Sequence, residues 1–183
     1  VRWYLGRDGV LCIEAGEMDE IRWHNATWTI TGIKVIPNKK YDKLILPANC
    51  SYMFNDTRAT FIEADKFDTS RVTNMECMFT GNYLLKELDV SGFDLSHADS
   101  AFSMFRSCLG LTSLNVSGLD TSHITDMTRM FMDCQNLTSL DLSSFDTSPV
   151  TSMRSMFGAC TSLTSLDLSG FDTSHVTEMK EMF

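Results

Sequence analysis

The chain has 183 residues, 43% of them apolar, and a formal net charge of −9. That is enough apolar material for one cooperative core, and no apolar run approaches the ~20 residues a membrane-spanning helix needs. The charge is uneven: residues 1–66 hold nine acidic and nine basic groups, residues 67–183 hold fifteen and six, and so acidic a region lacks the Lys and Arg that a nucleic-acid partner demands.

The first segment, residues 1–43, has no internal repeat. Trp3-Tyr4-Leu5, Gly6-Arg7-Asp8-Gly9 and Val10-Leu11-Cys12-Ile13 read as a hairpin whose turn is made by Asp-Gly. Trp23 and Trp28 flank a polar stretch. Ile30-Thr31-Gly32-Ile33-Lys34-Val35-Ile36 alternates like a strand and Pro37 breaks it. The segment is expected to be a β-rich cap, because the first coil of a repeat array would otherwise expose an apolar edge.

Residues 44–66 read as a degenerate first coil, in which Met53-Phe54 stands 25 residues before Met78-Phe79. From residue 67 the chain repeats every 26 residues. Met78-Phe79, Met104-Phe105, Met130-Phe131, Met156-Phe157 and Met182-Phe183 mark the step, and so do Phe67-Asp68, Phe93-Asp94, Leu119-Asp120, Phe145-Asp146 and Phe171-Asp172. A fixed period of this length means a solenoid.

Within a unit, Leu137-x-x-Leu140-x-Leu142 fits a leucine-rich-repeat strand. Strands are expected at 61–65, 87–91, 113–117, 139–143 and 165–169, stacked in parallel about 4.8 Å apart. A short helix is expected next. Thr73, Asp99, Thr125, Thr151 and Thr177 are suited to its N-cap, Thr73 with Glu76 forms a capping box, and Met153, Met156 and Phe157 share one helical face. The fold class is therefore an α/β solenoid: a leucine-rich-repeat-like, right-handed coil of short parallel strand, turn and short helix, with an N-terminal β-rich cap.

The slot usually held by Asn or Cys is filled by Phe145 and its siblings, so no Asn ladder is expected there. Asp68, Asp94, Asp120, Asp146 and Asp172 are expected to hold the strand-to-helix turn with their short polar side chains. A calcium ladder along that column would need the Gly-rich pattern of calcium-binding β-helices, which is missing. Cys108, Cys134 and Cys160 share one slot and read as small buried thiols. Cys12 and Cys50 are irregular and could pair.

Two surfaces are candidates for binding. The outward strand residues Glu63, Asp89, Asn115, Asp141 and Asp167 form an acidic column on the expected concave face, suited to a cation, a basic partner or plain solvation. Sequence variety lies elsewhere, in Arg71, His97, His123 and His175, and in Phe102, Arg106, Arg129 and Arg154. His97 and His123 are neighbours in one column, yet two ligands make a weak zinc site. No nucleophile–base constellation or phosphate loop is present. Neither catalysis nor a cofactor is expected.

The unit Leu-Thr-Ser-Leu-Asp-Leu-Ser-x-Phe-Asp-Thr-Ser-x-Val-Thr-x-Met-x-x-Met-Phe-x-x-Cys, over about residues 60–183, resembles the BspA-like leucine-rich repeats of bacterial surface proteins. The opening, Trp3-Tyr4-Leu5 with Val10-Leu11-Cys12-Ile13, looks like the segment before such arrays. The resemblance implies a secreted or wall-attached protein that adheres to proteins or glycans of host or neighbouring cells, or alternatively a passive spacer. It implies no catalytic residues, no nucleic-acid partner and no membrane insertion. The chain begins at Val1 and stops at Phe183 within a repeat, so a piece of a longer protein is expected, with an open end suited to end-to-end self-association.

Overall fold

The structure, a computed structural model, describes residues 1–20 and 23–183. The hairpin forms from strand β1 (Trp3–Leu5) and strand β2 (Val10–Glu14), paired antiparallel from Trp3↔Ile13 to Leu5↔Leu11. Gly9, at φ 82°, closes it, and the Asp8 carboxylate accepts the Val10 N–H at 3.1 Å. Glycine takes that left-handed backbone without the steric cost a Cβ brings.

Parallel stacking begins inside this segment. Strand β3 (Gly16–Glu17) follows β2, and strand β4 (Gly32–Ile36) lies parallel to β2 in the register Val10↔Gly32. The column continues through a single bridge, Ile33↔Ile62. Strand β5 (Leu44–Ile45) and strand β6 (Phe67–Asp68) stack on β3 as Gly16↔Leu44↔Phe67. Strand β7 (Glu87–Asp89) and strand β8 (Ser113–Asn115) extend the repeat side, with Leu88↔Leu114 in register and buried.

The core is built of columns. Phe54, Phe79, Phe105, Phe131 and Phe157 are buried and stack at centroid spacings of 6.0, 5.9, 5.7 and 5.7 Å. Trp23 continues the stack below Phe54 at 5.9 Å, and its indole N–H donates to the Met53 carbonyl at 3.0 Å. Trp3 meets Trp23 edge-on at 6.2 Å, closing that end. Phe67, Phe93 and Phe145 form a second column beside the first. Offset stacks at such separations add about 0.5–1.5 kcal/mol per pair beyond the area they bury.

The solenoid is as expected, but its helices are not. Among the described residues there is no α-helix; the helical elements are two 3-10 segments, His24–Thr29 and Ala64–Lys66. The Met-Phe arm is instead a ribbon of linked β-turns. In one coil the N–H groups of Met104, Arg106 and Cys108 donate three residues back to Ala101, Ser103 and Phe105, at 3.1–3.3 Å in all three cases. The N–H groups of Ala101, Ser103, Phe105 and Ser107 donate forward to Asp126, Thr128, Met130 and Met132 of the next coil, at 2.8–2.9 Å. Ser103 and Ser107 hold positive φ, 54° and 56°, and so do Arg129 and Asp133 at the same slots one coil on. Positive φ at the third residue of a turn marks type II geometry.

The reason is the coil step. Packed helices stand 8–10 Å apart, whereas the phenylalanines on this arm recur every 5.7–6.0 Å, close to the ~4.8 Å strand spacing of the opposite arm. A helix per coil has no room without strong curvature. A flat ribbon whose N–H groups point along the stack fits the step. Met at i and i+3 suits a turn as well as a helix, so spacing alone did not separate the two.

The threonines expected at the N-cap form a ladder instead. Thr125, Thr151 and Thr177 each donate both N–H and hydroxyl to the carbonyl of Asp99, Thr125 and Thr151, one coil earlier. Of the expected strands, 87–91 and 113–117 form over their first three residues, while 61–65 gives only the bridge at Ile62 and a 3-10 turn. Segments 139–143 and 165–169 keep their leucine columns without strand pairing. Residue type does not explain that break, since Leu114 and Leu140 occupy one slot.

Candidate functional site

The acidic strand face is less free than its sequence suggests. Glu63 turns toward the cap, where its carboxylate accepts the Val35 N–H at 3.0 Å. Asp89, Asp141 and Asp167 each accept the N–H of the serine two residues on, at 2.9, 3.0 and 2.9 Å, and Asn115 does so at 3.2 Å. These are Asx turns, the local bonds short polar side chains make to their own backbone. The serine bonds hold the Asp89, Asp141 and Asp167 carboxyls below the usual carboxylate range. Phe61, 41% exposed, stands in the slot of Glu87 and Ser113 and borders a shallow groove of about 570 Å³ with Asp89 and Asn115. An aromatic where siblings are polar was its only signal in the sequence.

The second acidic column makes a second set of Asx turns. Asp68, Asp94, Asp120, Asp146 and Asp172 accept the N–H of Ser70, Ser96, Ser122, Ser148 and Ser174 at 2.8–3.0 Å. The aspartates and serines of this turn are largely exposed. The buried partner is the intervening threonine: Thr69 accepts the Asp94 N–H at 2.7 Å, and Thr121 and Thr147 donate to the Asp146 and Asp172 carbonyls at 2.8 and 3.1 Å.

Cys108, Cys134 and Cys160 donate their thiols to the carbonyls of Phe79, Phe105 and Phe131 at 3.1, 3.3 and 3.0 Å. Asn82 holds the same slot one coil earlier and donates to both Phe54 and Phe79, at 2.8 Å each. An Asn/Cys ladder thus exists, in the slot after the Met-Phe pair and not in the slot filled by Phe145 and its siblings. All six cysteines are free, Cys12 and Cys50 included. Burial pushes the Cys50 and Cys108 thiols up to about 12 and raises Cys134 and Cys160. Such thiols stay protonated and unreactive.

The variable slots scatter over two places. His97, His123 and His175 are exposed beside the Asp turns; His175 Nδ1 lies 3.0 Å from the Ser148 carbonyl and His97 Nδ1 3.1 Å from the Ser96 hydroxyl. Among the described residues no three His, Cys, Asp or Glu side chains group as metal ligands. Arg71 is committed to the cap through an ion pair with Glu17 at 3.3 Å. Phe102, Arg106, Arg129 and Arg154 all lie half-exposed on the turn ribbon. The Nε of each arginine there is fully buried without a partner.

No described helix is long and apolar enough to cross a membrane. No curated protein and no solved structure shows significant similarity to the chain. One family profile does match, over residues 48–141 and again over 103–183. Those spans cover the whole ladder of coils just described, and the chain belongs to the family described as "Mycoplasma protein of unknown function, DUF285".

Proposed function

We propose that this chain is a non-catalytic interaction module of the BspA-like kind, displayed on a bacterial surface and used to adhere to proteins or glycans of host or neighbouring cells. The observation that carries the reading is the division of labour between the two arms. The outward strand slots are nearly identical from coil to coil and are tied up in Asx turns. The outward ribbon slots differ, running Glu76, Phe102, Thr128, Arg154 and Thr80, Arg106, Met132, Gly158. A stack held by backbone ladders and buried columns leaves those positions free to vary, which is what a binding surface on a repeat scaffold needs.

The test is saturable binding of the folded chain to intact cells and matrix proteins, with surface proteolysis of the producing cell to locate it. Saturable binding and protease access support the reading. Their absence favours the alternative, a passive spacer, for which the uniform strand face speaks.

A further inference from the structure

Residues 67–183 contain fifteen acidic and six basic side chains. Arg71 is paired with Glu17 and Lys180 with Glu181. Three of the other four are Arg106, Arg129 and Arg154, and among the described residues none of these makes an ion pair or a side-chain hydrogen bond. In so acidic a region, three ribbon arginines that all lack a carboxylate partner are not an evenly neutralised mixture of charges.

Their slots place them on three successive coils. The Arg129 N–H donates to the Arg154 carbonyl at 2.9 Å, which puts those two side by side across a coil boundary. Arg106 relates to Arg129 as Thr80 does to Ser103, and the Thr80 hydroxyl reaches the Ser103 carbonyl at 2.6 Å. The three stand on successive coils, which step by about 5.7 Å at Phe105, Phe131 and Phe157, each shifted sideways in its slot, so they climb the ribbon as a staircase. In each, Nε is buried and unpartnered, and among the described residues the terminal nitrogens make no ion pair. A guanidinium fork matches the oxyanion of a sulfate, phosphate or carboxylate with two parallel bonds.

Resting on the reading of the ribbon as the binding face, we propose that Arg106, Arg129 and Arg154 form a binding stair for a glycan carrying sulfate or phosphate esters. A protein interface anchored by aromatic hot spots is less suited, because the exposed tyrosines and tryptophan, Tyr4, Trp28, Tyr52 and Tyr83, lie in the cap and first coils. Three arginines on successive coils can engage only a short run of esters, and the acidic surface around them disfavours a long polyanion such as nucleic acid.

The experiment is titration of the folded chain with a heparin-type sulfated oligosaccharide and a glycan phosphate ester as separate arms, with the desulfated oligosaccharide and poly-glutamate as controls. The expected result is binding to one or both esterified glycans, weakening as salt rises. The triple variant Arg106→Gln, Arg129→Gln, Arg154→Gln is expected to lose at least tenfold in affinity, and Arg58→Gln, which changes an exposed arginine of the first coil, to match the parent. Should the triple variant not fold, Arg129→Gln alone is expected to weaken binding several-fold at an unchanged melting temperature. Equal binding by the variants, equal binding of poly-glutamate, or no glycan binding at all would overturn the stair. Adhesion to cells that persists in the triple variant would overturn it too, and would leave the interaction-module reading in place.

Discussion

Thr69 shows how little of this fold depends on the motif that recurs most visibly. In Phe-Asp-Thr-Ser, the aspartate closes an exposed Asx turn, whereas the threonine is buried and accepts the Asp94 N–H from the next coil. Thr69→Val keeps the shape and leaves that N–H without a partner. The expected cost is about 1–3 kcal/mol, read as a lower denaturation midpoint at unchanged slope, while Asp146→Ala should shift the midpoint less. The identity of the turn residues was legible from their spacing. The direction of their bonds was not, because an Asp, a Thr and a Ser in a row offer the same donors and acceptors whether they bond along the chain or across coils.

The Met-Phe arm has a stacked core without helices. Phe131 lies between Phe105 and Phe157, at 5.7 Å from each, and is fully buried. Phe131→Ala removes two stacked contacts and opens a cavity between coils, so a loss of about 3–5 kcal/mol is expected, visible as a lower melting temperature. The i, i+3, i+4 spacing of Met153, Met156 and Phe157 does mark core residues, since all three are buried, but their backbone is a turn ribbon and not the expected helix. The 5.7–6.0 Å step that excludes a helix per coil is set by how coils stack, and one repeat read alone does not contain it. The arginine stair was hidden for the same reason: Arg106, Arg129 and Arg154 stand in different slots of the unit, and one repeat read alone does not show that Arg129 bonds to Arg154 of the next coil.

Across the whole molecule, the aspartate columns couple stability to pH. Asp89, Asp94, Asp120, Asp141, Asp146, Asp167 and Asp172 are all held below the usual carboxylate range, chiefly by bonds from the serine two residues on. A carboxyl whose pKa is lower in the folded chain stabilises it above the unfolded value of about 3.9, and that contribution is lost as pH falls through the folded value. Each exposed carboxyl matters little alone; the array acts in one direction. Melting temperature is expected to be level down to about pH 5 and to fall below about pH 4. A chain equally stable at pH 3 and pH 7 would contradict the role given to these turns.

The solenoid with its ribbon of turns is tested most directly at Ser103. Its φ of 54° lies in the left-handed region and its buried hydroxyl has no partner. Ser103→Gly relieves both, so thermal melting should show a gain of about 1 kcal/mol, a rise of about 2–4 °C for a chain of this size. Were residues 100–107 a helix, the same glycine would sit in its interior and lower the melting temperature. A fall on Ser103→Gly would contradict the ribbon.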